Sequence, residues 1–426
     1  MGYSFHKHER FAFVKTITAE SCMKQAVFPV PFPRANSTML RAAVAMVLLL
    51  TLSNMIPSAA APLTTKQRLG RNLFFDTNLS TPAGQSCASC HAPERAFTDP
   101  DRSSPTSAGA NPDLRGSRNA PTAMYMAFSP RFHFDADEGL YLGGQFIDGR
   151  APTLKAQAKG PFLNPIEMAN GSPAEVVEKV RAASYAPLVE RVYGAGLWDN
   201  ATRAYDAIAD AIAAFERSEV FNRFTSRYDY FLYGQASLTT RELRGRALFE
   251  AADKGNCAAC HPSRPTREGG RPLFTDFSYD NLGVPRNPAN PFYRQPAEVN
   301  PDGFEFVDEG LGGVLKLAAE KGKMKVPTLR NIARTAPYMH NGYFKTLRAV
   351  VDFYNTRDVK PRCLDPMTAE AEALAAGCWP APEVTANVNH DELGDLGLTE
   401  QEVDDIVAFL KTLNDGYGKT RPTLRN

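Results

Sequence analysis

Leu63-Thr64-Thr65-Lys66-Gln67-Arg68-Leu69-Gly70-Arg71-Asn72-Leu73-Phe74 recurs as Leu238-Thr239-Thr240-Arg241-Glu242-Leu243-Arg244-Gly245-Arg246-Ala247-Leu248-Phe249. Thr64 with Gln67, and Thr239 with Glu242, form the reciprocal pair that satisfies the free amides of a helix start. Each predicted helix ends in Leu-Phe. After a loop, each is followed by Cys-x-x-Cys-His: Cys87-Ala88-Ser89-Cys90-His91 and Cys257-Ala258-Ala259-Cys260-His261. A repeat with the same motif at the same place in both copies is a duplicated unit.

Outward from the repeats the pattern stays helical. Thr399 and Glu402 cap a last helix whose Val403, Ile406, Val407 and Leu410 share a face, and Ala204, Ile208, Ala211, Ile212 and Phe215 share another. Alternating strand patterns are few, while 32 prolines and 30 glycines call for long loops between short helices. The expected class is mainly α, with two tandem cytochrome c-like domains, residues 61–230 and 231–426, each carrying one covalently bound haem.

The motif carries that expectation. Two thiols add to the haem vinyl groups, and the adjacent histidine is thereby brought under the iron. Cys87, Cys90, Cys257 and Cys260 are the attachment residues, and His91 and His261 the proximal ligands. A zinc site would need both clusters to converge, which separate domains do not allow, and a thioredoxin-like Cys-x-x-Cys would need a βαβ setting.

The N-terminus reads as a targeting segment. Met39-Leu40-Arg41, an apolar run from Ala42 to Leu52 and Pro57-Ser58-Ala59-Ala60-Ala61 make a basic start, a short core and a small-residue cleavage site. Residues 39–60 are therefore assigned as a signal peptide and 1–38, with Cys22, as an over-extended start; a retained membrane anchor is the alternative. The mature chain has no later membrane span and is expected in the periplasm. In an oxidising compartment the remaining cysteines, Cys363 and Cys378, most simply form a disulfide closing a short loop. Lys plus Arg (48) nearly balances Asp plus Glu (47), so no polyanion partner is implied and no nucleic-acid motif is present.

Between and after the repeats lie Arg118-Asn119-Ala120-Pro121, Gly144-Gln145-Phe146-Ile147-Asp148-Gly149-Arg150-Ala151, Gly160-Pro161-Phe162-Leu163-Asn164-Pro165-Ile166-Glu167-Met168 and Val326-Pro327-Thr328-Leu329-Arg330-Asn331, running on to Thr335-Ala336-Pro337-Tyr338-Met339-His340-Asn341-Gly342. With these stretches the chain from about residue 62 to 415 resembles the di-haem cytochrome c peroxidase/MauG family. The resemblance implies a peroxidatic N-terminal haem and a C-terminal haem that holds or relays electrons. It matches Glu167 to the family's distal acid–base carboxylate and Gln157 to its distal amide. Peroxide heterolysis needs a group that takes a proton from one oxygen and returns it to the other, and a carboxylate in an apolar pocket can do both.

The resemblance also implies sixth ligands. Other peroxidases of the family carry a distal histidine shortly before Arg-Asn-Ala-Pro, but Thr98 to Arg118 contains none. The N-terminal haem is thus expected open or water-ligated, as in MauG, with His133 a packed loop residue. At the C-terminal haem, Tyr354 falls where the family places methionine or tyrosine, with Met339 or His340 as alternatives. A calcium ion between the haems would be held by the Asn119 side chain and the carbonyls of Thr335 and Pro337. One departure stands out: the family's inter-haem tryptophan relay is replaced by Ile147, which cannot be oxidised.

Three functions follow as expectations. The first is a peroxidase that reduces hydrogen peroxide with electrons from a small cytochrome c or copper protein. The second is a MauG-like oxidase acting on a partner protein's side chain. The third is a non-enzymatic two-haem carrier. The sequence does not set the oligomeric state; the resemblance makes a homodimer one candidate, since dimers are common among relatives.

Overall fold

A computed structural model describes residues 62–423, so the assigned leader (39–60) and the segment 1–38 lie outside the described residues. Five helices organise the chain: α1 (Thr65–Phe75), α2 (Ala201–Glu216), α3 (Thr240–Glu250), α4 (Leu347–Thr356) and α5 (Glu400–Lys411). The remaining helices are shorter or lie between these as satellites. Among the described residues the strands form two short antiparallel pairs, the hairpin of β1 (His133–Asp135) with β2 (Leu140–Leu142) and the long-range pair of β3 (Tyr279–Asp280) with β4 (Met324–Lys325). His133 is exposed on β1 with Nδ1 2.8 Å from the Arg131 carbonyl, not packed as the sequence suggested, because the face it occupies on this hairpin is open to solvent.

The duplicated helix starts are built alike. Thr64 and Gln67 exchange bonds of 3.2 and 2.9 Å, and Thr239 and Glu242 bonds of 3.3 and 2.7 Å. The glycine shared by the two copies explains how each helix meets its partner. A Cβ on Gly70 would lie 1.9 Å from the Ala211 carbonyl oxygen on α2, and one on Gly245 1.8 Å from the Asp405 carbonyl oxygen on α5. Backbone touches backbone at both crossings, which only glycine permits. Gly70→Ala should therefore cost about 1–3 kcal/mol by overpacking, despite the better helix propensity of alanine. Denaturant unfolding of the variant beside the parent checks this.

Two hydrophobic cores follow from these crossings. One gathers side chains from Leu69 to Phe224, the other from Tyr228 to Leu413. Phe74 anchors the first by edge contacts with Phe97, Phe215 and Phe221, and Phe249 anchors the second against Phe274 and Phe409. The segment 362–389 belongs to the second. Cys363 and Cys378 are bonded, and Trp379 is fully buried against Phe344 and Phe353, its indole donating to Thr356 Oγ1 on α4 at 2.9 Å.

Between the cores runs a buried polar seam. Arg330 makes two bonds to Asp229, at 2.9 and 3.0 Å, with both side chains essentially inaccessible. Burial pushes the Asp229 carboxyl up, but the Arg330 guanidinium outweighs it and holds the group below the usual range.

Candidate haem pockets

The two Cys-x-x-Cys-His motifs sit in one frame built twice. His91 Nδ1 lies 2.9 Å from the Phe97 carbonyl and His261 Nδ1 2.8 Å from the Phe274 carbonyl. A carbonyl only accepts, so each Nδ1 carries the proton and each Nε2 keeps its lone pair for a metal. Burial lowers both imidazole pKa values, against the pull of those same carbonyls, favouring the neutral, ligating form. Phe97 and Phe274 share a left-handed backbone (φ 58° and 55°) that aims their carbonyls. Each carbonyl also accepts an amide, from Ala123 at 3.1 Å or Leu329 at 3.2 Å. Thr122 and Thr328 brace the two loops with matching hydroxyl bonds of 2.6 Å to the Ala96 and Leu273 carbonyls.

Cys87, Cys90, Cys257 and Cys260 are unpaired and partly buried, and burial pushes their thiols up, those of Cys90, Cys257 and Cys260 to about 12. Paired neutral thiols beside an imidazole with a free Nε2 fit a covalently attached haem in each frame.

Glu167 lies close enough to Cys87 and Cys90 to oppose their ionisation. Its Oε1 accepts from Asn164 Nδ2 at 2.9 Å, and its backbone carbonyl from the Ala110 amide at 2.6 Å. Burial raises its pKa; Arg150 and the Asn164 bond oppose that shift less strongly. Arg150 is itself fixed, bonded to Asp148 at 2.8 Å and lying 3.6 Å over the Phe146 ring. Arg118 joins the same network, forking onto Asp308 at 2.6 Å with a third bond of 2.6 Å to Asp148. The histidine-free stretch packs directly on the turn that carries Glu167: a Cβ at Gly109 would lie 2.4 Å from the Ile166 carbonyl oxygen. Gln157 closes the short helix Leu154–Gln157, ten residues before Glu167, and no bond joins the two side chains in the structure.

Sequence reasoning missed one group at this pocket. Glu216, the last residue of α2, is buried, its Oε2 has no partner among the described residues, and burial pushes its carboxyl up to about 8. It too opposes ionisation of Cys87. The signal was available, since Glu216 follows Ala209, Ile212 and Ala213 at helical spacing on a buried face.

At the second motif, Tyr354 and Met339 come together, Oη to Sδ 4.0 Å, with the phenol close enough to Cys257 and Cys260 that their ionisation would oppose its own. His340 is committed elsewhere: it is buried with Nε2 3.1 Å from Glu383. Asn119 and Pro337 also meet, the amide nitrogen 2.6 Å from the Pro337 carbonyl, with Thr335 two residues earlier in the same turn. With the amide turned end for end, these are neutral oxygen donors of the type a hard cation accepts. Among the described residues no cluster of three or more His, Cys, Asp or Glu side chains offers a metal site.

Duplicated helical units, each presenting paired thiols and an imidazole, define a di-haem c-type cytochrome, one pocket of which holds the buried carboxyl of Glu167. The sequence profile of the di-haem cytochrome c peroxidases matches residues 64–237. The chain is 41% identical over 355 residues to the methylamine utilization protein MauG of Paracoccus denitrificans, covering 82% of this chain and 88% of that one. It is 30% identical to cytochrome-c peroxidase IdrP1 of Denitromonas iodatirespirans, covering 83% and 82%. The crystal structure of the diheme peroxidase BthA from Burkholderia thailandensis superposes with a TM-score of 0.69 at 35% identity, covering 84% of this chain and 87% of that one. The chain belongs to the di-haem cytochrome c peroxidase/MauG family, and membership implies haem c cofactors. Among the described residues no helix is long and apolar enough to cross a membrane.

Proposed function

We propose that the chain is an exported periplasmic di-haem peroxidase, in which hydrogen peroxide, two electrons and two protons give two waters at the N-terminal pocket. Bound haem supplies the iron that binds peroxide and exchanges electrons. His91 and His261 would each hold one haem iron, one in each half of the chain. Glu167 takes a proton from one peroxide oxygen and returns it to the other, Asn164 orients it, and Gln157 contributes a distal amide. Electrons arrive through the C-terminal pocket from a small cytochrome c or copper protein. Asn119, Thr335 and Pro337 are the residues that would hold a calcium ion.

The observation carrying this reading is Glu167: a carboxyl next to the first cysteine pair, with proton affinity raised by burial, beside a loop that has no histidine to close the site. Low-temperature electron paramagnetic resonance on the fully ferric holoprotein tests it. One high-spin and one low-spin centre are expected, together with peroxide-dependent oxidation of a reduced donor cytochrome. Two low-spin centres with no peroxide turnover would leave a plain electron carrier.

A MauG-like oxidation of a partner protein is the second reading, favoured by Tyr354 at the second pocket. Tyr354→Phe leaves Met339 as the donor beside it. The variant is expected to keep a low-spin centre at a higher potential, as a thioether ligand confers, whereas adding Met339→Leu should make that centre high-spin. Redox titration and paramagnetic resonance of the two variants check this.

A further inference from the structure

Ile147 stands in the stretch that links the two pockets, so an oxidisable relay must be sought elsewhere. Its carbonyl accepts the Lys325 amide at 2.7 Å, and Lys325 pairs with Tyr279 across the antiparallel β3–β4 pair. The aromatic groups nearby are poorly suited. Phe146 lies under the Arg150 cation, and Tyr279 donates its hydroxyl to the Gly143 carbonyl at 2.6 Å, which cannot accept a proton.

A different connection joins the two proximal histidines. From His91, the Phe97 carbonyl accepts both the imidazole and the Ala123 amide, two residues before Tyr125. From His261, the Phe274 carbonyl accepts the imidazole and the Leu329 amide, two residues before Asn331. Tyr125 and Asn331 are equivalent positions of the duplicated frame, both left-handed (φ 65° and 62°), and both donate to the same oxygen, Asp415 Oδ2, at 2.6 and 2.8 Å. Asn331 Nδ2 also lies 3.3 Å from Met124 Sδ. The two frames thus meet at one carboxylate. Of the groups on this line, Tyr125 is the phenol, fully buried, with its hydroxyl also accepting the Phe224 amide at 2.9 Å.

We propose that Tyr125, with Asp415 as its proton acceptor, is the inter-haem relay of this protein. The proposal rests on the di-haem peroxidase reading. Tyr125 gives one electron toward the N-terminal haem oxidised by hydrogen peroxide, while its phenolic proton moves to Asp415 Oδ2. One electron from the C-terminal haem and the returning proton restore the phenol. The Arg330 guanidinium, 5.0 Å from the ring, disfavours a cationic radical, so electron loss must be accompanied by proton loss.

The test uses the ferric holoprotein mixed with peroxide and freeze-quenched, together with stopped-flow absorbance of the C-terminal haem. Installing 3,5-difluorotyrosine at position 125 preserves the shape of the site. It is expected to change the hyperfine pattern of a transient tyrosyl signal, which Tyr125→Phe abolishes. Tyr125→Phe should also slow electron withdrawal from the C-terminal haem by on the order of tenfold or more, equivalent to about 1.4 kcal/mol of barrier. An unchanged radical pattern in the fluorinated protein, or a smaller change in rate in Tyr125→Phe, overturns the relay. If peroxide perturbs neither haem of the parent, the peroxidase reading fails instead. The relay is then tested with a photogenerated ruthenium(III) polypyridyl oxidant, which should still yield a radical that responds to fluorination at 125.

Discussion

Glu167→Gln is expected to slow the reaction of hydrogen peroxide with the ferric holoprotein by about 10²–10⁴-fold, the usual contribution of a positioned acid–base group. Glutamine keeps the size of the side chain and can still meet Asn164, but it can neither take nor return a proton. Resting spectra of both haems should therefore be unchanged while stopped-flow traces at the N-terminal haem collapse. A peroxide rate constant equal to that of the parent would remove Glu167 from the chemistry. The pH dependence carries a sign. Glu167 must be ionised to begin the transfer, and burial raises its pKa above the ordinary carboxylate value, with Arg150 opposing. The rate should thus fall as pH drops through a point above the usual carboxylate range. Arg150→Met removes the opposing cation, so the acid limb should move to still higher pH. Rate constants measured across the acid range for the parent and this variant decide the matter.

Asp229→Ala is expected to cost about 3–5 kcal/mol of stability, because it leaves the Arg330 charge buried without its partner. Neither side chain reaches solvent, and Asp229 also accepts both the Ser226 amide and hydroxyl at a helix start, at 2.9 and 2.6 Å. Arg330 has only the Pro272 carbonyl, at 2.8 Å, left to accept from its guanidinium. The double variant with Arg330→Met should recover part of the loss, since an apolar pair of similar size has no charge to desolvate. Denaturant titration of the holoprotein series measures both effects. A loss below about 1 kcal/mol would mean that water reaches the seam.

The local chemistry was legible from neighbouring residues alone. The repeat placed two capped helices, and the structure builds both caps from the residues that carry the signal, because a capping box closes within four residues. The cysteine pairs and their histidines were legible for the same reason, as was the carboxyl at 167 once the surrounding stretches matched a family. The absence of histidine between Thr98 and Arg118 was likewise a property of the string alone.

Other features join residues far apart in sequence and emerged only from the fold. The role of Gly70 and Gly245 is invisible until α2 and α5 are laid across them, since the clash a side chain would make is with a backbone more than 140 residues away. His340 and Met339 read alike as donors, and only the fold showed that Glu383, from the segment 362–389, takes the first and leaves the second beside Tyr354. Glu216 needed burial to become interesting, because a carboxyl at a helix end is ordinary until it is buried with an oxygen that has no partner among the described residues. The meeting of Tyr125 and Asn331 on Asp415 joins three separate parts of the chain. A hydrogen bond across such separations is set by packing of the two cores, which no local pattern encodes.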